Sequence, residues 1–328
     1  MSKNNSIYII LWFTIQLLIE VNCQTTPFNP SQRQGHTATL IDSKIYILGG
    51  RNNVNTVKIG TEFFYLDVSV TFNAQNILWH DLTSINIVPR HSSAASVSGG
   101  ANNKTLFLYG GHNVNNEVTM SLAYTFDTQS NSWSIPKIAG NDVLRKDNLK
   151  GIVDDNGKMY LFGGSSNDTD YNDMLILDTI NLKWEIGTTV NAPSPRSVYG
   201  AVYVPKQFIV YLGGYYGTTN NDGVSLSLKE IYYYDLISNN WLTRMTSGLD
   251  GQQVIIFGGV NNLNNLKSQD TLYVLNLLNF EWSIPKISGT IPGSRYWHQA
   301  NVIGRYMVIS FGFGYDSNVD NDILLLDI

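Results

Sequence analysis

Short apolar runs that end in two glycines recur about every 50 residues along the chain. Within each run, five or six β-branched or aromatic residues favour a strand buried on both faces. The glycines permit backbone angles closed to other residues and let a second strand approach closely. A period of this length predicts a repeat architecture. The five full pairs are Gly49-Gly50, Gly110-Gly111, Gly163-Gly164, Gly213-Gly214 and Gly258-Gly259. In a weaker sixth copy, Met307 to Phe313, we align Gly312 with the first glycine of the pair.

A second pattern follows each glycine pair. After a polar loop comes an apolar strand ending in Asp or Asn, then a tryptophan six residues later in four units and twelve later in the first. The spacing predicts a tight turn at the Asp or Asn that returns as an outer strand. The tryptophans are Trp79, Trp133, Trp184, Trp241 and Trp282.

A third pattern lies upstream of the glycines, where an arginine precedes a short stretch rich in small residues. Small side chains suit a strand packed near a crowded central axis. The arginines are expected to tie neighbouring strands together by hydrogen bonds. They are Arg33, Arg90, Arg145, Arg196 and Arg295.

Together the glycine pairs, strand ends such as Tyr234-Asp235 and the spaced tryptophans resemble the kelch repeat family over about residues 31 to 328. The resemblance implies an all-β, six-bladed β-propeller in which each repeat makes one blade around a central channel. We expect one domain, residues 24–328, with repeats at about 33–80, 90–134, 145–185, 196–242, 243–283 and 295–328.

Two blades are expected to be incomplete. Only 17 residues separate Trp241 from Gly258, against 29 to 31 in other units, so blade 5 lacks room for its inner strand. Either the strand is lost or the gene model is misjoined. We prefer the second reading, because an open inner wall would expose buried surface. Blade 6 is expected to lack its last strand, for which residues 24–31 are a poor substitute given Pro27 and Pro30.

The first 23 residues are typical of a secretory signal: Lys3 is followed by an apolar run, and Val21-Asn22-Cys23 suits a signal peptidase. An anchor or a buried helix is the alternative, but the run is short for a bilayer. We expect a secreted or lumenal chain beginning at Gln24, monomeric and without a later membrane span. Two glycosylation sequons, at Asn103 and Asn167, lie in predicted turns or loops.

Candidates for chemistry are few. The net charge of -5 and the absence of a basic run argue against nucleic acid. Residues 168–172 and 316–322 alternate oxygen-bearing side chains as calcium loops do, but without the EF-hand glycine and glutamate, so polar loops are the preferred interpretation. His36 and His298 share a repeat position, which favours a structural role over catalysis or metal binding. No cofactor or metal is predicted.

The resemblance extends to the galactose oxidase propeller superfamily. Such a copper radical enzyme needs a cysteine cross-linked to a tyrosine, and the only cysteine, Cys23, leaves with the signal. The oxidase site therefore cannot be assembled in the expected mature chain.

Two classes of function remain. The first is a non-catalytic module that binds a protein or glycan through loops that vary between blades, with aromatic anchors at Tyr171, Tyr215, Tyr216, Tyr296 and Trp297. The alternative is an isomerase-like enzyme acting on a small molecule or carbohydrate at the channel mouth. It would need polar side chains converging from several blades.

Secretion is directly testable. N-terminal sequencing of protein recovered from the medium should find Gln24 first, and glycosidase treatment should lower its mass through loss of glycans at the two sequons. Recovery of only full-length, unglycosylated protein from the cytosol would reject this expectation.

Overall fold

The fold is seen in a computed structural model, which describes residues 27–52, 60–70, 73–74, 76–113, 119–217, 223–242, 253–259, 272–314 and 319–328. These residues form an all-β propeller of six antiparallel blades, as the repeats predict. The predicted signal and Cys23 lie outside the described residues. Among those described, the one helical element is a single 3-10 turn, Thr83–Ile85.

Blades 1 to 4 each contain four strands that run in chain order from the channel to the rim. From inside out they are Thr37–Ile41, Lys44–Leu48, Phe63–Asp67 and Trp79–Asp81 in blade 1, and Ala95–Gly99, Thr105–Tyr109, Ala123–Asp127 and Ser132–Ser134 in blade 2. They are Gly151–Val153, Lys158–Phe162, Met174–Asp178 and Lys183–Ile186 in blade 3, and Gly200–Val204, Phe208–Leu212, Ile231–Asp235 and Asn240–Leu242 in blade 4.

The described strands of the last two blades follow the same order. They are Gln253–Phe257, Leu272–Asn276 and Trp282–Ser283 in blade 5, and Gln299–Ile303, Tyr306–Gly314 and Val319–Asp327 in blade 6. The predicted gap in the inner wall of blade 5 falls on residues 243–252, outside the described residues. At the other end, residues 27–32 form no strand, and Phe28 packs against Phe64 of blade 1 at 5.3 Å between ring centroids.

Short strands decorate the blades. Ala139–Gly140 runs parallel to the outer strand of blade 3, and Arg295–Tyr296 pairs with the second strand of blade 6. Three further pairs lie in loops: His91–Ser92 with His112–Asn113, Ser165–Ser166 with Thr169–Asp170, and Tyr215–Tyr216 with Val224–Ser225.

The outer hairpins have the predicted tight turn. In blade 2, Asp127 Oδ1 accepts the backbone N–H groups of Gln129 and Ser130 at 2.8 and 3.3 Å, so the side chain itself shapes the turn. The chain then returns to place Trp133 opposite Phe126. Blades 3, 4 and 5 repeat this geometry from Asp178, Asp235 and Asn276.

The core is a ring of apolar clusters between neighbouring blades rather than one central cluster. The seam between blades 6 and 1 shows the packing: Phe311 stacks on Trp79 at 5.8 Å and meets Phe64 edge-on at 6.2 Å. Similar clusters fill the other five interfaces. Each blade therefore buries both of its faces against its neighbours.

One hydrogen bond recurs between blades. In blades 1, 2, 3, 5 and 6 the N–H of the second residue of the pair donates to a backbone carbonyl at the start of the next blade. The bonds are Gly50 to His91, Gly111 to Lys146 and Gly164 to Arg196, each at 2.9 Å, then Gly259 to Arg295 and Gly312 to Arg33, both at 3.0 Å. The last of these closes the ring, since it joins blade 6 to blade 1. We call the accepting residues, Arg33, His91, Lys146, Arg196 and Arg295, the anchor position.

This bond corrects the alignment of the repeats. In blades 2 and 3 the anchor residues are His91 and Lys146, so aligning on Arg90 and Arg145 was wrong by one residue. In blade 6 the pair is Phe311 and Gly312, both with positive φ, so Gly312 is the second member and not the first. The blade 6–blade 1 interface buries Phe311 completely, and that packing explains an aromatic residue in this position.

The glycine requirement can be tested within one repeat position. Gly164 and Gly259 both have positive φ, but a Cβ on Gly164 would lie 2.5 Å from Leu149 and 2.8 Å from the Asp147 carbonyl, whereas a Cβ on Gly259 would meet no atom of the described residues within 4 Å. Gly259→Ala should cost about 1 kcal/mol of unfolding free energy through its backbone angles alone. Gly164→Ala should cost a further 1 to about 3 kcal/mol through the clash. Urea denaturation of both variants measures the difference, and equal losses would show that crowding is unimportant.

Candidate functional site

The candidate site is one end of the propeller. Successive strands alternate in direction, so the loops between second and third strands emerge at the same end as the connections between blades. We call this end the loop face and the opposite end, with its short turns, the turn face. The second-to-third-strand loops and the interblade connections are held together by the hydrogen bonds at the anchor position.

Buried ion pairs fix the frame under the loop face. In blades 1 and 3 the buried anchor cation is paired with an acidic residue that immediately precedes the third strand of the same blade, and in blade 6 it is paired with an acidic residue inside that strand. Arg33 bonds Glu62, Lys146 reaches Asp173 at 2.5 Å, and Arg295 reaches Asp322 at 2.6 Å. In blade 4, Arg196 lies over the ring of Tyr232, whose hydroxyl donates to Glu230 at 3.1 Å.

Blade 2 replaces both charges, with His91 at the anchor and Leu122 before the third strand. Its loop is held instead by Arg145 from blade 3, which donates to the carbonyls of Gly110, Met120 and Ser121. Elsewhere the anchor arginine makes the equivalent bond, as Arg196 does to the Gly213 carbonyl at 2.9 Å. The recurring arginines are therefore structural, and the predicted hydrogen bonds run to these carbonyls.

A ring of backbone hydrogen bonds surrounds the channel mouth. In blades 1 to 4 the residue two places after the anchor donates its N–H to the equivalent carbonyl of the preceding blade, at 2.7 to 3.0 Å. Each of these residues has positive φ, between 52° and 62°. The chain of donors runs from Val198 to Asn148, to Ser93, to Gly35 and to the carbonyl of Trp297. We call these five residues the mouth ring.

The mouth ring places four different side chains and one glycine on the same backbone geometry. Val198 is the unusual member, because a left-handed backbone is unfavourable for a β-branched residue. Its φ is 52°, and its side chain is 46% exposed. Such strain costs about 1 to 3 kcal/mol and is characteristic of functional sites.

Trp297 joins blade 6 to blade 1 across the mouth. The Arg51 guanidinium lies over its indole at 4.8 Å, and Tyr296 packs between Trp297 and Phe313 at 5.0 and 5.2 Å. Tyr296 and Trp297, both predicted to contact a partner, are partly buried, so most of their ring surface packs within the protein.

The other three aromatic residues predicted to contact a partner, Tyr171, Tyr215 and Tyr216, also lie on the loop face. The Lys146 ammonium is 5.2 Å from the ring centroid of Tyr171. Tyr215 is partly buried, and its neighbour Tyr216 is 48% exposed in the short strand that pairs with Val224–Ser225. Tyr216 thus offers the largest free surface of the five.

Polar groups converge at the mouth from blades 1, 2 and 3. His112 Nδ1 lies 3.8 Å from the Asp147 carboxylate. Burial raises the pKa of Asp147, while His112 and Arg51 oppose that shift. Sequence reasoning missed these polar groups because they come from three blades and meet only in the folded protein. It missed Val198 because the mouth ring shares a backbone angle and no common side chain.

The described residues of the two acidic loops do not form a set of calcium ligands. Asp170 accepts hydrogen bonds from Ser165 Oγ at 2.5 Å and from the N–H of Gly217 at 2.9 Å, and Asp322 pairs with Arg295. Within the described ranges no three His, Cys, Asp or Glu side chains are grouped to hold an ion.

His36 and His298 are wedges between blades. Each packs its ring edge-on against the preceding blade, His36 on Phe311 at 5.2 Å and His298 on Phe257 at 5.5 Å. Burial lowers the pKa of His298 to about 4 and that of His36 well below its usual value. Both are therefore neutral at physiological pH.

The two sequon asparagines are exposed on opposite faces. Asn103 lies in the turn between the first two strands of blade 2, on the turn face. Asn167 lies at the tip of the short hairpin in the blade 3 loop, on the loop face. In the described part of the chain, no helix has the length and apolarity to cross a bilayer.

Six blades, glycine-pair strand ends and ion-paired anchors define a repeat-built β-propeller. A family model for the KLHDC2/KLHL20/DRC7 Kelch-repeats domain matches residues 35–250. The chain therefore belongs to the kelch-repeat family.

Known proteins agree with this assignment. Kelch domain-containing protein 3 of Bos taurus and of Homo sapiens is 25% identical over 309 residues, covering 86% of this chain and 78% of each relative. Acyl-CoA-binding domain-containing protein 4 of Arabidopsis thaliana is 23% identical over 329 residues, 92% of this chain but 46% of that protein. The solved structure of YjhT superposes with a TM-score of 0.65 at 15% identity, covering 92% of this chain and 97% of its own, which shows a shared fold.

The buried histidines predict acid sensitivity. The unfolded chain binds protons near pH 6.5, whereas folded His298 binds them near 4, so stability is present above pH 6.5 and is lost as the pH falls through this window. Through His298 alone, the free energy of unfolding should fall by about 2 kcal/mol between pH 7 and pH 5. Urea unfolding of His298→Gln should show a shallower pH slope than the unsubstituted protein. His112→Gln, at a side chain 61% exposed, is the control and should leave the slope unchanged.

Proposed function

We propose that the protein is a non-catalytic recognition module that binds a partner protein on its loop face. The mouth ring carries this proposal, because one constant backbone presents four different side chains and a glycine around the channel. Recognition sites are typically built from variable side chains on a regular frame.

The strain at Val198 supports a role in contact. Glycine, which Gly35 provides in blade 1, would satisfy the same hydrogen bonds without steric cost. An exposed valine in this conformation contributes little to the core, so its side chain is available to a partner.

An apolar patch extends from Val198 over the blade 4 loop. It comprises Val198, Tyr216, Val224 and Leu228, each more than one third exposed. We call it the blade 4 patch. Val198 and Tyr216 are held near one another because Ser197 and Tyr215 exchange backbone hydrogen bonds at 2.9 and 2.8 Å. Aromatic and aliphatic side chains on a rigid frame suit the anchors of a protein partner.

Secretion is part of the proposal, and it rests on the signal-like start and the exposed sequons. A glycan at Asn103 would leave the loop face clear. A glycan at Asn167 would stand at the edge of that face and restrict the direction from which a partner approaches.

An enzyme at the channel mouth is the second candidate. The pair His112 and Asp147 favours it, since burial raises the pKa of the carboxyl toward the range useful for proton transfer. If this pair is catalytic, Asp147→Asn should abolish turnover of a sugar substrate while Val198 variants leave it unchanged.

The binding proposal is tested with matched substitutions on the two faces. Val198→Asp combined with Tyr216→Ala should weaken a partner captured from secreted material by at least about 10-fold, measured as Kd with the purified partner. Ile237→Asp is the control, because this side chain is 83% exposed on the turn face. Val198→Gly should keep the fold, with equal or higher stability, and still lose affinity. Equal Kd values for all variants would show that the loop face is not the binding surface. If the protein binds only to a glycan array and captures no protein, its partner is a carbohydrate and not a protein.

A further inference from the structure

A lysine from blade 3 spans the central channel. Lys150 Nζ donates to Oε1 of Gln299 in blade 6 at 2.7 Å. The two residues occupy the same repeat position, four places after the anchors Lys146 and Arg295. The other described blades have Thr37, Ala95 and Gly200 at this position. At these three described positions, small residues leave space for one long side chain.

The Lys150 ammonium has no carboxylate partner among the described residues, unlike the anchor cations Lys146 and Arg33. An ammonium offers three donors, and the Gln299 amide oxygen takes one of them. Among the described residues no carboxylate lies within ion-pair distance of Lys150, whereas Lys146 pairs with Asp173 and Arg33 with Glu62. Lys150 is partly buried, and an ammonium without a carboxylate partner in such surroundings favours a bound anion.

The surroundings add positive charge and unused polar atoms. Lys150 is among the charges that depress the pKa values of His36 and His298, with Arg33 and Arg295 contributing from the anchor position. Within the described ranges, Nδ1 of His36 and Nδ2 of Asn301 are buried without a hydrogen-bond partner. Burial lowers the pKa of Lys150 to about 8, which still leaves it mostly protonated at neutral pH.

We propose that the channel binds a small oxyanion, of the phosphate, sulfate or carboxylate class, at the Lys150 ammonium. The ammonium supplies the charge and two free donors, and Gln299 and Asn301 add amide groups from blade 6. This site lies inside the channel, and it does not depend on partner binding at the loop face. Its failure would leave the proposed function untouched.

Inorganic phosphate, sulfate and acetate are the probes. Each is titrated at constant ionic strength into the purified protein, and binding is followed by calorimetry and by melting temperature. At least one probe should bind saturably and raise the melting temperature. Lys150→Met should weaken that binding at least 10-fold, and Lys150→Arg should retain most of it. Lys104→Met is the control, because Lys104 lies on the turn face and pairs with Asp42 at 3.4 Å.

Melting temperatures measured without added anion show whether Lys150→Met itself destabilises the fold. Lys150→Met should then melt at the same temperature as the unsubstituted protein or higher, since it removes an unbalanced charge. Two results would overturn the site: no saturable response to any of the three probes, or an equal response in Lys150→Met. The second result, with a lowered melting temperature in anion-free buffer, would assign Lys150 to a structural bond with Gln299 alone.

Discussion

The structure depends on one hydrogen bond, from the N–H at the end of each second strand to the carbonyl at the start of the next blade. That bond requires the chain to turn in a left-handed conformation with another backbone in contact, and two adjacent glycines meet both conditions. The anchor cations, the mouth ring and the interblade clusters are all positioned by it. Loss of one glycine therefore affects two blades and the loop face above them.

Charge follows the same repeat. A blade with a buried cation at its anchor has an acid immediately before its third strand or near the start of that strand, whereas blade 2 combines His91 with Leu122. Arg145 then takes over the carbonyls of the blade 2 loop from the neighbouring blade. A buried charge without a partner is costly, so a cation at the anchor requires an acid near the third strand. The backbone has the same conformation whether the two positions hold an ion pair or the uncharged pair of blade 2.

The sequence predicts the fold well because the fold is local. Strand ends, tight turns and outer tryptophans depend on side chains close in the chain, as at Asp127 and Trp133. The anchor position was harder, since an arginine one residue early in blades 2 and 3 resembled the true anchor. The mouth ring could not be predicted, because its members share a backbone angle set by interblade bonds and no common side chain. Lys150 was missed for a related reason: its partner Gln299 is distant in the sequence.

The bond from Gly312 to Arg33 differs from its equivalents in one respect, the length of chain between donor and acceptor. The other bonds of this set join residues in consecutive repeats, so they close short loops at little entropic cost. The seam between blades 6 and 1 must bring together residues almost a whole chain apart. We therefore expect closure of that seam to be a late step in folding, after the contacts between consecutive blades have formed. The stacked rings of Trp79 and Phe311 lie across the seam and help to hold it closed.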